Sequence, residues 1–248
     1  MWVDFAAGQR AFRVRAFLFD KDGTLLSFDH WLAVMRARAA RLGVRLALGE
    51  AEMADLLGFM GVEDGGGGVG GIIPLPRSDA EEAVAGYLAE VCSLDPARAR
   101  AEVTAAFAEV DREFPFWQHV KPTPGATALL TALRRAGGRV AVVTHDSAAA
   151  ASRHLSVVGW SGMVDHVIGV DVCPLRKPRP TPVLAACIAL GVPPAEAVMV
   201  GDTCADLIAG RRAGCGLTVG VLTGLGDRSE LAQGDLLLSD LTEIHVLG

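Results

Sequence analysis

Val14 to Phe19 reads Val-Arg-Ala-Phe-Leu-Phe, an apolar run that stops at Asp20-Lys21-Asp22-Gly23-Thr24. A short apolar run bounded by a turn signal predicts a strand buried on both faces. Similar runs predict strands at Arg139–Val143, His166–Val170, Ala197–Val200 and Leu217–Val221, with a short last one at Asp235–Leu238. Helical periodicity fills the intervals Ser147–Val157, Thr181–Leu190 and Cys204–Ala213. Thr123-Pro124 reads as a helix start, a capping Thr with Pro at the first helical position, and that helix runs to Gly137-Gly138. Strand-helix alternation of this kind predicts an α/β fold with a doubly wound, Rossmann-like parallel sheet covered on both faces.

Residues 28–119 break the alternation. Helical patterns cover Asp29–Leu42, Leu48–Leu57, Asp79–Cys92 and Pro96–Phe114, and no strand pattern lies between Phe28 and His119. The expected organisation is an α/β core made of residues 1–27 and 120–248, interrupted by an inserted α-helical domain at 28–119 that acts as a lid. Gly66, Gly68 and Gly71, within the run Gly65 to Gly71, satisfy G-x-G-x-x-G. Glu63-Asp64 stand where a strand should end and Ile72-Ile73-Pro74 where a helix should begin, so the run is expected to be a loop of the insert and not a dinucleotide site.

Composition narrows the function classes. The chain has 248 residues and a formal charge of −6, which argues against a nucleic-acid partner, because non-specific binding of that kind needs a basic face. Its five cysteines contain no Cys-x-x-Cys pair and are expected to be reduced, packing thiols. Asp4, Gln9, Arg10 and Arg13 interrupt the N-terminal segment, so it lacks a signal-peptide core. No stretch approaches the roughly 18 apolar residues of a membrane span. These features lead to the expectation of a cytoplasmic protein with no membrane partner.

The ends of the predicted strands carry the chemistry. The first strand ends in Asp20 and Asp22, the second in Thr144; Arg176-Lys177-Pro178-Arg179-Pro180 precedes a helix; and Ala197–Val200 leads into Gly201-Asp202-Thr203-Cys204-Ala205-Asp206. In a parallel sheet the C-terminal ends of the strands share one edge, so acids, a hydroxyl and a lysine converge there. An ordinary Asp-Gly turn would explain the first pentapeptide but none of the other strand ends. Phosphate monoesters are anionic and very slow to hydrolyse, and a cluster of carboxylates can approach one only with a cation between them. Mg²⁺ fits, as a hard ion that takes few protein carboxylates and keeps oxygens of water and substrate. Lys177 adds positive charge, and Thr144 can hydrogen-bond phosphoryl oxygens.

The order DxDGT, a hydrophobic strand ending in Thr, Lys-Pro-x-Pro and GDTxxD resembles the haloacid dehalogenase superfamily, most of all its phosphoglycolate-phosphatase-like branch, whose helical cap is inserted between the first and second motifs. The resemblance implies that Asp20 is a nucleophile that becomes an aspartyl-phosphate and Asp22 the acid and base. It implies that Thr144 and Lys177 hold the phosphoryl group, that Asp202 binds Mg²⁺ with the Asp20 carboxylate and the Asp22 backbone carbonyl, and that Asp206 supports the metal or pairs with Lys177. Gly23 and Thr24 would shape the turn. Two residues depart from the pattern. His145 replaces a small polar residue and is expected to contact substrate with a pH dependence near neutrality, or to be a plain loop histidine. Lys21 replaces an apolar residue and is expected to point away from Asp20, pair with a nearby acid and matter less than Asp20 or Lys177. The implied activity is a Mg²⁺-dependent phosphatase acting on a small phosphorylated metabolite, phosphoglycolate-like at the level of the family. The alternatives are a β-phosphoglucomutase-like phosphotransferase and a non-enzymatic ligand-binding regulator.

Overall fold

The computed structural model describes residues 1–62, 71–73 and 75–247. The chain forms two compact units, one of residues Met1–Ser27 and Val120–Gly248, the other of Phe28–His119.

In the first unit the chain opens with a hairpin of β1 (Val3–Ala7) and β2 (Arg10–Val14), followed by β3 (Ala16–Phe19). The N-terminal segment is therefore structured, although its charged residues had pointed only to an interrupted stretch. Val3, Phe5 and Ala7 alternate with half-exposed residues, the period-2 signature of a strand with one wet face. The second unit supplies α1 (Asp29–Leu46), α2 (Glu50–Phe59), α3 (Arg77–Val91) and α4 (Pro96–Glu113). Asp95 caps α4, accepting from the Arg98 amide, with Pro96 at the first helical position. Ala99, Val103, Ala106, Phe107 and Val110 form its buried face, while Arg38 lies over the Phe107 ring and donates to Asp111 at 2.7 Å. Of the glycine-rich run, Gly65 to Gly70 lie outside the described residues.

The chain returns to the first unit with α5 (Ala126–Arg135), β4 (Arg139–Val143), α6 (Ala148–Val157), β5 (His166–Ile168), α7 (Thr181–Leu190), β6 (Ala197–Gly201), α8 (Cys204–Ala213), β7 (Leu217–Val221), a turn of helix α9 (Arg228–Leu231), β8 (Leu236–Leu238) and β9 (Ile244–Val246). A six-stranded parallel sheet runs β5-β4-β3-β6-β7-β8, and a three-stranded antiparallel sheet runs β2-β1-β9. Every residue of β3, β6 and β7 is buried, as central strands covered by helices on both faces must be. Phe5 of the small sheet meets Phe17 of β3 edge to face at 5.0 Å. Thr123 does not cap a helix. α5 begins after Gly125, and the Thr123 hydroxyl instead donates to Thr24 O at 2.5 Å. No helix of the described residues is long and apolar enough to cross a membrane.

Candidate functional site

β3 and β6 are neighbours, but the chain leaves β3 toward β4 and leaves β6 toward β7. Adjacent parallel strands whose connections part in this way leave a crevice at their C-terminal ends. Asp20 follows β3, its amide donating to Val200 O at 2.9 Å, and Asp202 follows β6.

Lys177, in the loop before α7, binds these strand ends together. Its Nζ donates to Asp20 Oδ1 at 2.6 Å and to Val143 O at 2.8 Å, and pairs with Asp206 Oδ1 at 2.6 Å. Burial alone would lower the Lys177 pKa, but the carboxylates of Asp20 and Asp206 outweigh it and raise the ammonium above its ordinary value. Burial pushes Asp20 up to about 6 against the pull of Lys177, with Asp206 and Asp22 adding to the rise.

Asp202 is fully buried. Its Oδ1 accepts from Thr24 Oγ1 at 3.1 Å and its Oδ2 from the Leu225 amide at 2.9 Å. Burial, then the charges of Asp20 and Asp206, hold its pKa well above the ordinary carboxylate range. Asp206 sits in the first turn of α8, where its Oδ2 accepts from Thr203 Oγ1 at 2.6 Å and the Thr203 amide at 3.1 Å.

Oxygens of Asp20, Asp202 and Asp206 all lie within 4.8 Å of one another. Three carboxylates against the one ammonium of Lys177 leave this cluster with an excess of buried negative charge, which adds to the effect of burial in raising Asp202. An oxygen-only donor set with unbalanced negative charge fits a hard divalent cation such as Mg²⁺.

The other residues of interest flank this cluster. Gly23 turns the chain at φ 82°, a conformation natural to glycine, and its amide donates to Leu26 O at 2.7 Å. Asp22 Oδ1 accepts from Lys21 Nζ at 2.6 Å, and Lys21 also pairs with Asp146 Oδ2 at 3.0 Å. Thr144 closes β4, its amide donating to Ile168 O at 3.0 Å and its Oγ1 accepting from the Asp146 amide at 3.1 Å. Asp22 and Thr144 are thus connected through Lys21 and Asp146, whereas Lys177 joins Asp20 to Asp206 directly and the Thr24–Asp202 pair lies beside them, its carboxylate within 4.8 Å of theirs. His145 lies beside Thr144, and burial, followed by the nearby charge of Lys177, lowers its pKa to about 4. A pKa held that low favours the neutral imidazole near pH 7.

A contributor that the strand-end reading missed is the loop after β7. The Leu225 amide holds the Asp202 carboxylate, the Gly226 amide donates to Asp202 O at 2.9 Å, and Thr223 Oγ1 donates to Gly23 O at 2.5 Å. A Cβ on Gly224 would collide with the Asp202 carboxylate. The signal was present in Thr223-Gly224-Leu225-Gly226 directly after a strand, a spacing that permits close backbone approach.

A doubly wound parallel sheet with three carboxylates and a paired lysine at its switch point defines an α/β protein with an acidic, cation-ready site. The haloacid dehalogenase-like hydrolase family matches residues 14–214, and the chain belongs to that family. It is 32% identical to a validoxylamine A 7'-phosphate phosphatase of Streptomyces hygroscopicus subsp. limoneus over 92% of this chain and 94% of that protein. It is 38% identical to a phosphoglycolate phosphatase of Neisseria meningitidis over 50% of this chain and 55% of that protein. The chain spans about half the length of several such phosphoglycolate phosphatases. A putative phosphatase from Clostridium difficile shares the fold at a TM-score of 0.69 and 17% identity, covering 92% of this chain and 95% of that one.

Proposed function

We propose that this protein is a Mg²⁺-dependent phosphatase that hydrolyses a small phosphate monoester through an aspartyl-phosphate on Asp20. The observation that carries the reading is the setting of Asp20, held at 2.6 Å by Lys177 and within 4.8 Å of Asp202 and Asp206 at the switch point. A carboxylate held there by an ammonium, beside a cation-ready acid cluster, supports the role of nucleophile for Asp20.

In the first step an Asp20 oxygen attacks phosphorus, the bond to the leaving oxygen breaks, and Asp22 gives that oxygen its proton. In the second step a water attacks the phosphoryl group, Asp22 takes the water's proton, and the bond to Asp20 breaks to release phosphate. Lys177 and the Thr144 hydroxyl hold phosphoryl oxygens through both steps. The carboxylates of Asp20 and Asp202 and the backbone carbonyl of Asp22 would hold Mg²⁺, with Asp206 in support. When bound, the ion offsets the charge of carboxylates and phosphoryl oxygens so that the two anions can meet.

The names of the relatives support a phosphomonoester as substrate, and the full-length match to the validoxylamine A 7'-phosphate phosphatase extends that support through the helical unit. We assign to that unit, which lies in sequence between the first and second motifs, the role of a cap that selects the substrate. Turnover of an aryl phosphate tests the reading: wild type should release free phosphate and stop with EDTA, and Asp20→Asn should be inactive but folded. Activity that survives Asp20→Asn sinks the covalent route. An isomerised sugar phosphate with no phosphate released would instead identify a mutase.

A further inference from the structure

Lys21 lies between the two acids of the first motif, and its side chain is fully buried. A buried ammonium without partners is strongly disfavoured, so its surroundings report what it holds. Its partners include Asp22 Oδ1 at 2.6 Å, the ion-paired Asp146 Oδ2 at 3.0 Å and His154 Nδ1 at 3.1 Å. They come from three places, the turn after β3, the loop after β4 and helix α6. His154, accepting at Nδ1, carries its proton on Nε2.

The site thus contains two ammonium groups with separate duties. Lys177 holds Asp20 together with Asp206, and Lys21 holds Asp22 together with Asp146. Asp20 and Asp22 are one residue apart along the turn and repel each other when both are charged. Tying each to its own cation, on a different side, keeps the two carboxyls from exchanging places or sharing a partner. A small loop acid such as Asp22 has two rotatable side-chain bonds, and a fixed partner at one oxygen removes that freedom.

We propose that Lys21 is a positioning residue for Asp22, anchoring its carboxyl to Asp146 and His154 so that it faces the leaving oxygen. This inference rests on the phosphatase reading, in which Asp22 is the proton donor. It gives Lys21, expected from sequence to pair with a nearby acid and to matter less than Asp20 or Lys177, a role in the proton transfer through Asp22.

The test is the dependence of kcat/KM on the leaving group, because kcat/KM reports the steps through the first phosphoryl transfer, where Asp22 donates its proton. An aryl oxide such as p-nitrophenolate leaves without a proton, whereas the alkoxide of glycerol 2-phosphate needs one. For Lys21→Met, kcat/KM on glycerol 2-phosphate is expected to fall by about tenfold to a hundredfold, and on p-nitrophenyl phosphate by less than about threefold. Equal falls on both esters, or no fall on either, overturn the proposal, since a purely structural role has no reason to favour one leaving group. Asp22→Asn, run in parallel, should show the same skew at larger size. If it shows none, or if wild type cleaves neither ester, the phosphatase reading itself fails and the proposal goes with it. If Lys21→Met does not fold, Asp146→Asn removes the second anchor and should give the same skew at smaller size, and its absence there overturns the proposal.

Discussion

Thr24 Oγ1 donates to Asp202 Oδ1 at 3.1 Å, a contact across 178 residues of sequence that ties the turn after β3 to the end of β6. Both residues are fully buried, so the hydroxyl is a donor that water cannot replace. Thr24→Val keeps the shape of the side chain and removes the donor. It should lower stability by about 1–3 kcal/mol, measured as a shift in urea midpoint, and weaken Mg²⁺ binding in a calorimetric titration. Thr24→Ser keeps the hydroxyl and should recover most of both.

Lys177→Met is expected to be far more severe. It leaves Asp20 and Asp206 buried with no cation between them, which costs about 3–5 kcal/mol for a broken buried pair. In the proposed mechanism it also removes a donor to the phosphoryl oxygens, worth about a hundredfold or more in rate. Phosphate release together with urea unfolding checks both effects. A variant that is stable but inactive would mean that the pair is needed for chemistry and not for the fold.

The strand ends were legible in sequence because β3, β4, β6 and β7 are apolar runs broken only by Arg139 at the exposed start of β4 and Thr218 within β7, as burial on both faces favours. Their common edge follows from parallel topology, which puts Asp20, Lys177 and Asp202 together without any knowledge of side chains. What escaped depends on distant partners. β1 and β2 are short and half exposed, and β1 pairs with β9 from the other end of the chain, so local pattern is weak there. Thr123 has the propensity of a cap, but the carbonyl of Thr24 outcompetes the helix for its hydroxyl. The full burial of Lys21 was invisible because Asp22, Asp146 and His154, which meet its ammonium, come from separate elements.

Gly224 has its own expected outcome. Its φ is not in the left-handed region, so space and not backbone strain decides the effect of a side chain there. A methyl at this position meets the Asp202 carboxyl, which can give way only by stretching its hydrogen bonds to Thr24 and Leu225. Gly224→Ala should therefore move Asp202, lowering Mg²⁺ affinity and activity by about tenfold to a hundredfold, the range for a ligand's supporting contacts. Magnesium titration of the variant checks this. An unchanged affinity would show that the loop yields instead of the carboxylate.

His145 provides a pH signature in stability. Its pKa falls from the model-compound 6.5 to about 4 in the folded protein, through burial and the charge of Lys177. Between these values the unfolded chain binds a proton that the folded protein does not, so stability rises with pH across this window and is lost on acidification through it. At about 1.4 kcal/mol per pKa unit the fall from 6.5 to about 4 corresponds to roughly 3 kcal/mol lost by pH 4. Carboxylates also titrate in acid, so the comparison must be with a variant. His145→Asn should flatten the slope of stability between pH 6.5 and 4 relative to wild type, measured by urea unfolding along a pH series. The activity profile between pH 6.5 and 8 should be the same in both proteins, because folded His145, with its pKa lowered to about 4, stays neutral across that range. A slope that is equal in the two proteins would show that His145 is as easily protonated folded as unfolded, and that Lys177 does not act on it.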